Sequence, residues 1–350
     1  MLLNTIDEAV SNLFPGYFAL VMATGIVSIA SFLLGYAWIA LALLVVNGIA
    51  YGVLWVLTIV RLSRHVHRML EDLTNHARGA GFFTIVAGTC VLGAQFVIVI
   101  DIPRVGLALW WLGLALWLFV TYAFFMAITV REEKPSLESG INGAWLIAIV
   151  ATQSISVLGT LLVDLFSTGR EVLLFFSLSM FLFGCMLYIL IITLIFYRFS
   201  FFRLTMAALT PPYWINMGAV AISTLAGATI ILHADRWSVL GELLPFLKGF
   251  TLFFWATATW WIPLLFMLGA WRHLYKRYPF AYDPQYWGMV FPLGMYTACT
   301  FQLSRAIGIP FLEIIPRYFI FIALAAWIGT SIGLLRSLIP TSAHRPVGGR

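Results

Sequence analysis

Charge is what this 350-residue chain has least of. Only 10% of its residues are Asp, Glu, Lys or Arg and 62% are apolar, where soluble domains carry charge on about a quarter of their residues. With a mean hydropathy of +0.98, an ordinary soluble fold is excluded. Cysteine is nearly as scarce. Cys90, Cys185 and Cys299 offer neither a disulfide framework nor a zinc spacing, and each falls inside an apolar run as a small core residue. The first dozen residues hold Asp7 and Glu8 but no Lys or Arg, the wrong charge for a cleavable signal peptide. There is no Gly-x-Ser-x-Gly elbow, no Gly-rich phosphate loop and no acid, base or metal constellation at membrane depth, so nothing marks an enzyme or a cofactor site.

What is present is membrane-length apolar sequence. A spanning helix needs about 20 apolar residues, and ten segments qualify: 17–34, 37–60, 81–100, 105–130, 141–163, 172–197, 214–232, 244–270, 287–304 and 316–338. The connections are too short for a soluble domain. The chain therefore divides into an N-terminal segment 1–13, one ten-helix membrane domain 14–338 and a tail 339–350. An even helix count puts both termini on one face, with the loops after the even helices. That face carries 14 Lys and Arg against 6 on the other, so the positive-inside rule makes it cytoplasmic, in a plasma membrane. The basic balance follows from this bias, and no nucleic acid partner is implied. In segment 1–13 and at the residue after it, Leu2, Leu3, Ile6, Val10, Leu13 and Phe14 recur at helical spacing, and Thr5–Glu8 fits a capping box. A short helix on the membrane surface and a frayed terminus with accidental periodicity both fit.

Five times a turn-forming stretch leads through an aromatic residue into a helix: at Tyr17, Phe83, Trp145, Trp214 and Trp287, spaced 66, 62, 69 and 73 residues apart. A period of that size reads as one helical hairpin used five times. The helices after these lead-ins hold the small and hydroxylated residues, while the intervening ones are uniformly Leu, Val, Ile, Phe and Trp. Small-residue faces permit close packing or line a wet cavity, and greasy helices suit lipid. The economical arrangement is two concentric rings, odd helices inside around a quasi-fivefold pore and even helices outside. Any single hydroxyl serves packing as well as a lumen. As a set falling on alternate helices they favour a lumen, with Thr24, Ser28, Thr89, Thr152, Ser223 and Thr297 as candidate pore liners. No Asp, Glu, Lys or Arg lies near a span centre, and Gln95 and Gln153 are the mid-helix amides. Such a neutral path suits a partly dehydrated anion better than a cation.

The ninth helix departs from the repeat. Pro292 has no N–H and clashes with the Gly288 carbonyl, which predicts a kink, and Phe291 stands beside it. A bulky ring in a small-residue pore closes it by steric block and dewetting. The bland alternative is one more core or lipid-facing ring among 29 Phe. His65, His67 and His76 lie in a basic loop without the acidic or Cys partners of a metal site, and His233 sits near the outer end of the seventh helix as an interfacial polar residue.

Phe14-Pro15-Gly16-Tyr17-Phe18 running into Met22-Ala23-Thr24-Gly25-Ile26 resembles the first helix of the tellurite-resistance/dicarboxylate transporter family, which includes plant slow anion channels, a yeast malate permease and a fungal sulfite pump. Pro212 to Ala219 is similar to its seventh helix and Tyr286 to Gly294 to its ninth, so the resemblance spans about residues 13–338. It implies five hairpins around a quasi-fivefold axis and homotrimers with one pore per protomer. It also implies occlusion by a Phe at the position of Phe291. The expected function is transport of small anions, C4-dicarboxylates or similar weak acids. The alternatives are export of sulfite or another toxic oxyanion and, from another class, a non-transporting receptor or scaffold. The long regulatory tails of the plant members have no counterpart here.

Overall fold

A computed structural model describes residues 2–338, so the tail 339–350 lies outside the described residues. Thirteen α-helices and no strand occur among the described residues. Three are short: α1 (Leu2–Ser11), α4 (Val66–Thr74) and α7 (Leu137–Gly140). Five begin at the lead-ins: α2 (Ala19–Leu33), α5 (Phe83–Ile98), α8 (Ile147–Leu161), α10 (Ile215–Leu232) and α12 (Trp287–Ile307). Each is followed by a longer helix: α3 (Ala37–Arg64), α6 (Pro103–Val130), α9 (Arg170–Phe201), α11 (Ser238–Ala270) and α13 (Ile314–Leu338). Nine of these ten long helices, counted with their lead-in turns among the described residues, are long and apolar enough to cross a membrane. The tenth, α12, has the length at 21 residues but is diluted by Gly, Thr, Tyr, Gln and Ser. It can afford that composition because nearly all of it is buried in protein.

Burial separates the two sets. Between 78% and 94% of the most apolar window is buried in α2, α5, α8 and α10, against 17–44% in α3, α6, α9, α11 and α13. Contacts run α2 to α5, α5 to α8, α8 to α10, α10 to α12 and α12 back to α2, a closed cycle of buried helices. Each exposed helix packs on the buried helix before it in the chain and on the one after it, with α13 returning to α2.

Every lead-in is a 3-10 turn: Pro15–Phe18, Gly79–Phe82, Gly143–Leu146, Pro211–Trp214 and Pro284–Tyr286. These turns touch in the same closed order as the helices they start. Two glycines make the ring that tight. A Cβ on Gly81 would lie 2.9 Å from the Gly16 nitrogen, and one on Gly143 would run into the Pro212 carbonyl.

At the N-terminus, Thr5 falls within the backbone span of α1, and the side-chain cap expected of it lies outside the described residues. Its end is tied to α3, with Arg61 Nε donating to the Ser11 carbonyl at 3.2 Å. α12 runs through Pro292 as one helix. The proline ring is accommodated on α10, where a Cβ on Gly218 would approach Pro292 Cγ to 2.7 Å.

Candidate functional site

The closed cycle of helices encloses two cavities, one at each end. On the lead-in side a vestibule of about 430 Å³ takes residues from the start of all five inner helices: Ala19 and Met22, Gly81 and Thr84, Ala144 and Ile147, Pro212 and Ile215, and Gly288 and Phe291. On the far side a cavity of about 30 Å³ is lined again from all five, by Ile26 and Ile29, Val91 and Ala94, Ser154 and Val157, Ile222 and Leu225, and Met295 and Gln302. That is room for about one or two waters. Among the described residues no aromatic ring lines the far cavity, and the rings lining the vestibule are Phe14, just before the first lead-in, and Phe291 on α12.

One helical turn beyond Thr84, Ile147 and Ile215, periodicity brings Ala87, Ala151 and Ala219 to the same face. All three are fully buried, as is Phe291. These three methyls are the smallest side chains on that face, and Phe291 lines the vestibule just before them.

The six candidate pore liners are elsewhere. None lines either cavity; most point into the seam between inner and outer helices. Thr24 Oγ1 accepts the Trp327 indole N–H of α13 at 3.0 Å, and Thr152 Oγ1 accepts that of Trp117 on α6 at 2.9 Å. Thr89 Oγ1 lies 3.0 Å from the Tyr51 hydroxyl of α3, and Ser28 donates to the Ala40 carbonyl of α3 at 2.7 Å. Ser223 accepts from Gln153 Nε2 at 3.1 Å, and Thr297 donates to its own helix at Leu293. The amides follow: Gln153 also reaches the Phe181 carbonyl of α9, and Gln95 Oε1 accepts from Asn47 of α3. Trp255 on α11 completes the pattern by donating to Thr300 on α12. An unpaired hydroxyl or indole at membrane depth is costly, and pairing them across the seam removes that cost while fixing the outer ring to the inner one. The signal available in the sequence was the Trp and Tyr residues of the greasy helices, each needing an acceptor.

Charge gathers on the lead-in side. Asp72 pairs with Arg61 Nη2 at 2.6 Å and with Arg78 Nε at 2.6 Å. Arg78, Arg198 and Glu138 line the vestibule. The positive ends of the five inner-helix dipoles point toward the same mouth, which favours an anion there. The far cavity is uncharged, with Ser154, Thr229 and Gln302 as its polar residues. Sequence reasoning passed over Gln302 and Arg198, which the fold brings to the linings of the two cavities.

Residues 12–335 match the sequence model of the SLAC1 family, described as voltage-dependent anion channels. An uncharacterized membrane protein of Mycobacterium tuberculosis is 37% identical over 155 residues, 44% of this chain and 78% of the relative. An uncharacterized transporter of Methanocaldococcus jannaschii is 23% identical over 329 residues, 92% of this chain and 94% of the relative. A sulfite efflux pump of Trichophyton rubrum is 23% identical over 343 residues, covering 91% and 89%. The chain belongs to the SLAC1 family of anion channels and transporters and is a multi-pass membrane protein, not an enzyme.

Proposed function

We propose that the protein passes small anions through the axis of its five inner helices and that Phe291, held by Pro292, is the gate. The ten long helices act as five hairpins around a quasi-fivefold axis, each protomer of a plasma-membrane homotrimer having its own path and cytoplasmic termini. The observation that carries the reading is the place of Phe291, a buried ring lining the vestibule, with a second cavity lined by the same five helices beyond. The substrate is a C4-dicarboxylate or similar weak-acid anion. Passive flow is supported by the lack of Asp, Glu, Lys or Arg near a span centre, since coupled carriers mark their paths with such groups.

A second reading, export of sulfite or another toxic oxyanion, is favoured by the similarity to sulfite efflux pumps. The two separate in liposomes holding wild-type or Phe291→Ala protein, assayed for malate, sulfite and chloride flux with and without a pH gradient. Malate flux without a gradient supports the first reading, and sulfite without malate supports the second. No anion flux from either protein leaves the receptor or scaffold and overturns both.

A further inference from the structure

We infer that Arg198 forms an anion-binding site in the vestibule, taking a small oxyanion on its guanidinium edge. The inference rests on the anion-path reading for its purpose and on the following geometry for its location. Arg198 lies in the last turn of α9, is only 7% exposed and lines the vestibule. A guanidinium carries five N–H donors. Here one is used, Nε donating to the Glu138 carbonyl at 2.8 Å, while Nη1 is buried without a partner. No carboxylate lies within ion-pair distance of Arg198 among the described residues.

The other vestibule arginine is committed. Asp72 holds both Nε and Nη2 of Arg78 and also pairs with Arg61, so the Arg78 fork is already engaged. Arg198, whose guanidinium lies over the Tyr213 ring at 5.8 Å, is therefore the vestibule arginine with a buried N–H donor left idle. A buried cation with idle donors is costly by itself, and an anion arriving through the vestibule satisfies both the charge and the donors. The planar fork matches a carboxylate or sulfite through two parallel hydrogen bonds, a geometry that a halide cannot use. Thr210 and Ser139 line the same cavity as neutral hydroxyls, and Glu138 is exposed on its rim. The Glu138 charge opposes the anion, which keeps the site weak enough to release what it holds.

The competing role is a strut, since the Nε bond ties α9 to the segment around α7. Two measurements separate the roles. The first is the thermal midpoint of the full-length wild-type protein in detergent, titrated with sulfite or chloride. Sulfite raises the midpoint by selective binding to the folded state, and Arg198→Gln and Arg198→Lys both lose that rise, with chloride weaker throughout. The second is initial flux in Phe291→Ala liposomes as a function of anion concentration. Adding Arg198→Gln raises half-saturating sulfite about tenfold, the loss of one charge-assisted contact. Adding Arg198→Lys restores the chloride dependence but not that of sulfite.

If Arg198→Gln fails to fold, Arg198→Lys decides alone. An unchanged sulfite midpoint shift and an unchanged sulfite-to-chloride ratio in that variant overturn the site and leave the strut. If sulfite stabilises the protein through Arg198 but no anion crosses Phe291→Ala liposomes, the site stands and the pathway reading fails.

Discussion

Ala151 and Thr152 are neighbours on α8 yet belong to different parts of the molecule. Thr152 takes the Trp117 indole in the seam with the outer ring, whereas helical periodicity turns Ala151 to the axis. The same division recurs around the ring, at Thr24 with Trp327 and Thr89 with Tyr51, against axis-facing Met22 and Ala87. Most of the candidate hydroxyls of the inner helices hold the two rings together, and the level between the two cavities is left to alkyl side chains by helical periodicity. An apolar constriction dewets and closes without any charged latch, so resistance at the axis and stability at the seam are separable properties.

That separation is breakable at several points. The largest effect is expected from refilling the axis. In Phe291→Ala protein, Ala219→Phe places a ring at the same level from α10 and removes most of the anion flux that the first substitution released, measured in liposomes. Persistence of that flux would put the path elsewhere. Next is Gly218→Ala, whose new methyl meets Pro292 Cγ; overpacking of this kind costs about 1–3 kcal/mol and lowers the thermal midpoint in detergent. Smaller still is Thr152→Val, which strands the Trp117 indole. Membrane hydrogen bonds average about 0.6 kcal/mol, so the midpoint falls slightly, while the conductance of Phe291→Ala protein carrying the change stays the same. A changed conductance would return Thr152 to the pore wall.

The smallest effect concerns the rim. Burial, then the charges of Arg131 and Lys134, hold the His76 imidazole below its ordinary value of 6.5. The unfolded chain then binds the proton more readily than the folded protein, so stability is lost as pH falls from about 6.5 toward the lowered value. His76→Gln flattens that loss in pH-resolved thermal melts, and an unaltered slope would assign it to another group.

Much of this plan was legible in the residues. Spacing of the aromatic lead-ins identified the helices that turned out buried, because a hairpin reused at a fixed period repeats its turn chemistry. Phe291 was legible as the departure from that repeat. The direction of each hydroxyl was not. Counting Thr and Ser along α2, α5 and α8 tells which helix is interior, but the face they occupy depends on where Trp327, Tyr51 and Trp117 sit on other helices. Arg198 was hidden for a related reason. In sequence it is one of 14 basic residues on its face, and only the fold brings it beside Glu138, 60 residues away, where it is buried with donors to spare.

The central claim is that one ring closes an otherwise continuous path, and planar-bilayer recording of Phe291→Ala against wild type tests it most directly. The account predicts an anion conductance about tenfold or more above wild type, the gain for a barrier lowered by roughly 1.4 kcal/mol. Equal currents from the two proteins, both folded and inserted, would contradict it.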